Sequence, residues 1–525
     1  MTSLRPSLPA WLVMALALLV AALFIRLAEV EPDVSDPIGY HYAAERLAQG
    51  QGLTYEDDYN AIAGPYFVLY AFQVTRPIDP AHYLGFPPGF ALLLWPGAAV
   101  GAAHVVTPLL AALTIVAAYF LGKYLTDDPW VGAWAAVLLS TTAAFWRFGT
   151  AAWSEIPATL AATAGVTLYL RSRRGTRSLF FSLAAATVFT FGHFIRYTNV
   201  VFLAAVALYE LYTARGGLWR ERWRWPFWLA AAVGLAAIPL FNHFYYGGAL
   251  LTSYSATHGW YPLPPFALAY ALGPSFVDGY SLRESLKTLW ANFPLMLLLV
   301  PAGWWLLPRD ARLLVAAAVG FGLLPYAVYA FAPSGINSRF LLPFFPFLCV
   351  ALAQLIAVTL RRLNPPLRQA AGLALVIAVF LPVPGHVAAM NERNVASKTT
   401  VETVRAFTVG LEQDAVVMSY AYNDLIAVYG DRSVLNFRRI PTSDAALGRY
   451  RLEMLEPCLV GAVERLLAHS IPVYAVVEQP PASWDTHAIL ERHFTLAEPV
   501  GNPPLVRILS RAGDAPLDES SCRFP

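Results

Sequence analysis

Between Leu8 and Leu27 the chain reads LPAWLVMALALLVAALFIRL, and apolar runs of about 17–23 residues recur as far as residue 384. Each is long enough to cross the ~30 Å hydrocarbon core of a bilayer as a helix. Backbone groups within that core must bond inside the protein, so such a chain folds as packed helices. Only 13% of the 525 residues are charged and 57% are hydrophobic, whereas a soluble domain carries roughly 25% charged residues. A net charge of +2 gives no field for a nucleic-acid partner. The first run, with Arg5 ahead of it, is long for a signal peptide, and LFIRLAEVEP is a poor cleavage site, so it reads as a retained span.

About eleven spans are expected, up to thirteen, near residues 8–27, 108–124, 131–148, 156–170, 179–192, 197–212, 227–245, 287–306, 313–331, 340–360 and 369–384. The stretch from Gly89 to about Ala103 decides the topology. Read as re-entrant or interfacial, it puts four basic loops on one side together with the N-terminus: RSRRGTR, RGGLWRERWRW, PRDAR and RRLNPPLR. Basic loops collect on the cytoplasmic side, so that side is taken as the inside. Trp219, Trp223, Trp225 and Trp228 among the arginines read as an aromatic belt.

From about Asn391 hydropathy falls. Strand-like AVVMSY, SVLNF, VYAVVE and LVRIL alternate with helical TTVETVRAFTVGLE and EPCLVGAVERLLAHS, the pattern of a small α/β domain. The chain therefore divides into a transmembrane module, residues 1–390, whose first outer loop (about 29–88) carries juxtamembrane helices, and a soluble extracytoplasmic α/β domain, residues 391–525. No glycine-rich phosphate loop occurs in the latter. Of three cysteines, Cys349 falls in a span; Cys458 and Cys522 fall in the outer domain, where a disulfide is permitted.

The first outer loop opens with Ser35-Asp36-Pro37, a helix start in which Asp36 can cap free N–H groups and Pro37 suits the first turn. Tyr40, Ala44 and Leu47 then share a face, and Gly50 and Gly52 end the helix. Asp57 and Asp58 read as solvated surface. The broken apolar FPPGFALLLWPG suits a groove for a lipid tail. With this topology the ionisable groups at the outer membrane surface are Asp33, Asp36, His41, Glu155, His193, Arg196 and Arg339. Charge at that depth is costly unless paired or functional. The bland alternatives are a helix cap for Asp36 or Glu155 and an arginine snorkelling to lipid phosphate for Arg339.

SDPIGYHYAAERLAQGQGL, FPPGFALLL, WSEIPATL, HFIRYTNVVFL and RFLLPFFPFL, in that order over residues 30–350, resemble membrane glycosyltransferases of the GT-C superfamily. The aminoarabinose lipid A transferases and protein O-mannosyltransferases belong there. The resemblance implies a polyprenyl-phosphate sugar donor attacked at the extracytoplasmic face with inversion. It implies Asp36 as general base or metal-proximal ligand and Glu155 as the second acidic position. Pro37 stands where many relatives have a second acid, which weakens a paired-carboxylate metal site.

A phosphate leaving group needs no acid catalyst, so one base can suffice, and desolvation can raise its pKa toward neutrality. The departing phosphate needs a planar cationic fork: Arg339 and Arg196 are the candidates, with His193 beside them. Tyr40, His41, Pro87 and Pro88 are expected to line the substrate groove. Metal use stays open, with Asp36 and Glu155 as candidate ligands for magnesium or manganese. The acceptor is a lipid, glycan or protein hydroxyl. The expected location is the plasma (inner) membrane, multi-pass, with the N-terminus cytoplasmic. Two other readings are a transporter or flippase of lipid-linked sugars and a non-catalytic assembly subunit; the near absence of charge at mid-span counts against the first.

Overall fold

A computed structural model of the chain describes residues 7–72, 74–76, 79–174, 177–214, 224–253, 290, 294–328, 335–419, 422–437, 440–441, 450–451, 456–477, 486–513 and 522. Two compact units emerge: Met1–Val30, Val100–Ile238 and Leu263–Asn394 form one, and Glu31–Ala99, Pro239–Pro262 and Val395–Pro525 form the other. The first loop thus clusters with the C-terminal segment. Of the four tryptophans in the basic belt, Trp219 and Trp223 lie outside the described residues.

In chain order the helices begin α1 (Leu8–Arg26), α2 (Ser35–Ala48), α3 (Asn60–Ala63), α4 (Gly89–Ala98), α5 (Ala103–Thr126) and α6 (Pro129–Ser140). They continue α7 (Ala143–Gly149), α8 (Glu155–Ser172), α9 (Ser178–Ile195), α10 (Val200–Ala214) and α11 (Arg224–Tyr246). Among the described residues seven helical stretches are long and apolar enough to cross a membrane, or eight if α6 and α7, bent by 67°, make one broken span. The other expected spans fall on helices shorter or more polar than that measure allows: α8, Pro294–Leu306 and Arg309–Val328. α4, at ten residues, reaches only ~15 Å, too short to cross.

In the first unit α8 is the central helix, buried along most of its length between α5 and α9. Its polar threonines explain its low hydropathy and are compatible with burial. The hydroxyls of Thr159, Thr163 and Thr167 donate to the carbonyls of Glu155, Thr159 and Thr163 at 2.6, 2.7 and 2.7 Å, so no polar atom of theirs is stranded. α5 and α6 cross where two glycines meet: a Cβ on Gly122 would stand 2.8 Å from the Cα of Gly132, the close approach small residues permit between membrane helices.

Described residues of all four basic stretches gather at one end of this unit. Buried Glu210 at the end of α10 pairs with Arg224 at 2.6 Å and Arg173 at 4.0 Å, joining the end of α8 to the start of α11. Arg309 lies over the ring of Tyr212, 5.7 Å from its centroid. Asp127 and Asp128, between α5 and α6, pair with Arg174 and Arg361. α8 runs roughly 27 Å from Glu155 to this basic end, from its 18 residues at about 1.5 Å each.

The second unit contains a small antiparallel sheet of β1 (Thr54–Tyr55), β2 (Val74–Arg76) and β3 (Asp79–Tyr83), in order β1-β3-β2. The C-terminal segment supplies β4 (Val416–Met418), β5 (Ser433–Leu435), the pair β6 (Ile440–Pro441) and β7 (Tyr450–Arg451), β8 (Val473–Val476), β9 (Phe494–Leu496) and β10 (Leu505–Arg511). Five of these form a sheet in order β5-β4-β8-β10-β9: the first three parallel, β10 and β9 antiparallel. Side chains alternate across it. Val416, Met418 and Leu435 face helix Glu456–Ala468 together with Ala63, Tyr66 and Phe67 from the first loop. Val417 and Val434 face Val401, Val404, Ile426 and, from α2, Ile38. Cys458 and Cys522 form a disulfide.

Candidate active site

Glu155 is the first residue of α8, with Ser154 before it and Pro157 in the first turn. Proline is tolerated there because those N–H groups have no helical partner, and an acid at a helix N-terminus meets a favourable dipole. The carboxylate is 1% exposed. Arg196 reaches it from the break between α9 and the short turn Tyr197–Asn199, where the backbone turns extended. Its Nη1 donates to Glu155 Oε1 and, at 3.3 Å, to Ser154 Oγ. Arg339, in the 3-10 stretch Gly335–Phe344, brings its Nε to 3.5 Å from the same carboxylate oxygen.

Aromatic faces hold both guanidinium groups. Arg339 lies 4.4 Å from the ring centroid of Trp153 and 4.8 Å from that of Phe340. Arg196 lies 4.9 Å from Phe340 on its own account. Close by, Arg393 pairs with buried Glu29 at 3.7 Å, and Arg147 stands within electrostatic range of both Arg393 and Arg339. Four arginines face two glutamates in a largely dehydrated setting, where charge interactions are strengthened.

The structure therefore brings together Glu155, Arg196 and Arg339. His193 stands on the last turn of α9 with its ring 5.4 Å from that of Tyr197. Asp36, Tyr40, His41, Pro87 and Pro88 belong to the second unit. There the helix begins two residues earlier than the sequence suggests: Val34 is the N-cap, without a side-chain cap bond, and Asp36 lies inside the first turn of α2. Asp36 is thus not the cap, since Ser35 already has helical geometry. Tyr40 packs on Phe86 and Phe90, centroids 5.0 and 4.9 Å away; His41 is buried. Pro88 is the N-cap of α4, and Pro87 precedes it.

Trp153, Phe340, Arg147, Arg393 and Glu29 were not singled out from sequence. Trp153 and Phe340 each neighbour a chosen residue in the chain, which is the signal that could have found them. Among the described residues no group of three or more His, Cys, Asp or Glu converges. The surroundings of Glu155 are wrong for a divalent cation, because two guanidinium groups already share its carboxylate and would repel one.

Residues 101–248 match the family model described as dolichyl-phosphate-mannose-protein mannosyltransferase; that stretch contains Glu155, His193 and Arg196. No curated relative matches by sequence. The fold is similar to that of ArnT from Cupriavidus metallidurans, solved bound to undecaprenyl phosphate. The TM-score is 0.60 at 12% identity, with 96% of this chain and 98% of that one covered. It is also similar to the archaeal oligosaccharyltransferase AglB from Archaeoglobus fulgidus, solved with an inhibitory peptide and a dolichol-phosphate. There the TM-score is 0.55 at 10% identity, over 97% of this chain and 75% of that one.

The chain shares the fold of these two proteins. The stretch 101–248 carries the helix whose N-terminus presents Glu155 and the break that presents Arg196.

Proposed function

We propose that this chain transfers a sugar from a polyprenyl-phosphate donor to an acceptor hydroxyl at the extracytoplasmic face of the membrane, with inversion. The observation that carries the reading is Glu155 bridging buried Arg196 and partly buried Arg339 in a fold shared with GT-C proteins. A cluster richer in guanidinium than in carboxylate suits an anion, and a phosphate fits the planar fork. The solved GT-C proteins bound to undecaprenyl phosphate and dolichol-phosphate support a donor of that class. The outer-face reading is supported by the basic end of the first unit: basic loops favour the cytoplasm. The Glu155 cluster lies at the opposite end of a helix nearly as long as the ~30 Å hydrocarbon core.

In this reading Arg196 and Arg339 bind the donor phosphate and stabilise the charge it gains as the glycosidic bond breaks. Glu155 holds the two forks in register. Asp36 takes the proton from the acceptor hydroxyl as that oxygen attacks the anomeric carbon from the face opposite the phosphate. The electron pair of the broken bond leaves with the phosphate, so no acid catalyst is required. The acceptor is a lipid, glycan or protein hydroxyl.

The test uses full-length protein in nanodiscs with a panel of radiolabelled polyprenyl-phosphate sugars, wild type beside Asp36→Asn. Transfer by wild type, with loss in the folded variant, is the expected result. Equal turnover in the two would remove Asp36 from the chemistry, and failure to consume any donor would overturn the assignment.

A further inference from the structure

Open α/β sheets take ligands beyond the carboxyl ends of their parallel strands. In the C-terminal sheet that region follows β4 and β5, and it is filled by this chain's own first loop. Asn436, directly after β5, donates from its backbone N–H to Tyr66 O at 3.0 Å and from Nδ2 to Val68 O at 2.9 Å. Asp424, in helix Asn423–Tyr429 after β4, accepts the N–H of Tyr70 at 2.8 Å. Both side chains are buried, Asn436 at 2% and Asp424 at 8% exposure. Tyr66 and Phe67 enter the sheet's hydrophobic core.

The bound segment touches α2 directly. A Cβ on Gly39 would stand 2.2 Å from the Cβ of Ala71, so helix and loop meet with no room for a larger residue. Gly85 N–H donates to Ala71 O at 2.6 Å, and the ring of Phe86 lies 5.9 Å from that of Tyr70 and 5.0 Å from that of Tyr40. The lead-in to α2 and its first turn are tied down as well. Tyr429 OH donates to Pro32 O at 3.0 Å, Ser397 Oγ donates to Glu31 O at 2.7 Å, and Ile38 packs on the sheet's second face.

We infer that the C-terminal α/β domain is a positioning device whose ligand crevice is occupied by residues 66–70, and that Asp424 and Asn436 are positioning residues for α2 and its Asp36. The catalytic half of this rests on Asp36 acting as the base proposed above; the mechanical half does not.

The experiment compares wild type, Asp424→Ala and Asp424→Asn as full-length protein in nanodiscs. Asparagine keeps an oxygen to accept the Tyr70 N–H; alanine does not. Amide hydrogen exchange without substrate is expected to speed up about tenfold or more in Asp424→Ala, both at 66–72 and across α2 at 35–44. Asp424→Asn should stay near wild type. Faster exchange confined to 66–72, or an asparagine variant that behaves like alanine, would overturn the inference. Asn436→Ala, which removes the donor to Val68, provides the same reading should Asp424→Ala fail to accumulate. In the transfer assay kcat should fall in Asp424→Ala and recover in Asp424→Asn, with donor KM within about twofold of wild type because the arginines are untouched. If wild type transfers nothing, the reading of Asp36 fails while the exchange result still decides the coupling.

Discussion

The guanidinium of Arg339 lies 4.4 Å from the centre of the Trp153 ring. The indole face holds the arginine in place and leaves its fork directed by Glu155, whose carboxylate is 3.5 Å from Arg339 Nε. A desolvated cation–π contact is worth about 2 kcal/mol. Trp153→Ala is therefore expected to raise the donor KM by up to about thirtyfold. Trp153→Phe, which keeps a ring face, should stay within a few-fold. Arg339→Lys should behave more like Trp153→Ala than like wild type, because an ammonium cannot offer a planar fork. Donor titrations with radiolabelled substrate separate the three.

Glu155 carries a second consequence. With the carboxylate gone, Arg196 and Arg339 are like charges held together with little water. Removing one partner from a buried pair costs about 3–5 kcal/mol. Glu155→Gln, which preserves shape but not charge, should lower the thermal midpoint in nanodiscs clearly. It should recover part of that loss when an anionic polyprenyl phosphate is added, since binding to the native state stabilises it. A midpoint that polyprenyl phosphate leaves unchanged would argue against anion binding at this cluster.

Much of this was legible in the chain, for identifiable reasons. Apolar length marked the helices, because the bilayer demands about twenty residues. Charge marked the shared end of the four basic loops. Short strand-like runs such as AVVMSY and LVRIL mark β4 and β10, and Glu155, Arg196 and Arg339 stand out because ions at membrane depth need partners. What escaped was tertiary. The bond from Tyr70 to Asp424 spans 354 positions, and no local pattern announces it. The aromatic clamp of Trp153 and Phe340 was hidden for a different cause: aromatics are so frequent in spans that only a place within two positions of Glu155 or Arg339 marks these two.

The disulfide Cys458–Cys522 closes across 64 positions, joining helix Glu456–Ala468 to the chain terminus. In the chain-entropy description a loop of that size stabilises by about 4 kcal/mol. Cys522→Ser is expected to lower the denaturant midpoint of the second unit by a corresponding amount, or by less where the unfolded chain keeps structure. Reductant should reproduce the effect in wild type and leave the variant unchanged. Circular dichroism and exchange at 456–477 would follow it.

Acid should loosen the same unit through His82. The residue is fully buried on β3, its Nε2 3.4 Å from Asn60 Nδ2. Asn60 is fixed by its own bonds, donating to Phe67 O at 3.3 Å and accepting Phe67 N–H at 2.9 Å. The network therefore assigns Nε2 as the acceptor, and a proton there would face an N–H donor. Burial pushes the His82 pKa down to about 4 from its ordinary 6.5. In the unfolded chain the ring takes up a proton near 6.5, so between those values the unfolded state binds more protons and stability rises with pH. The contribution of neutral His82 is complete above about pH 6.5 and is lost as pH falls through about 4, amounting to at most about 3 kcal/mol. Exchange at 60–67 should therefore quicken between pH 6.5 and 4 in wild type. His82→Gln, which cannot titrate, should lower stability at neutral pH yet flatten that dependence. An equally steep profile in the variant would assign the acid response to another group.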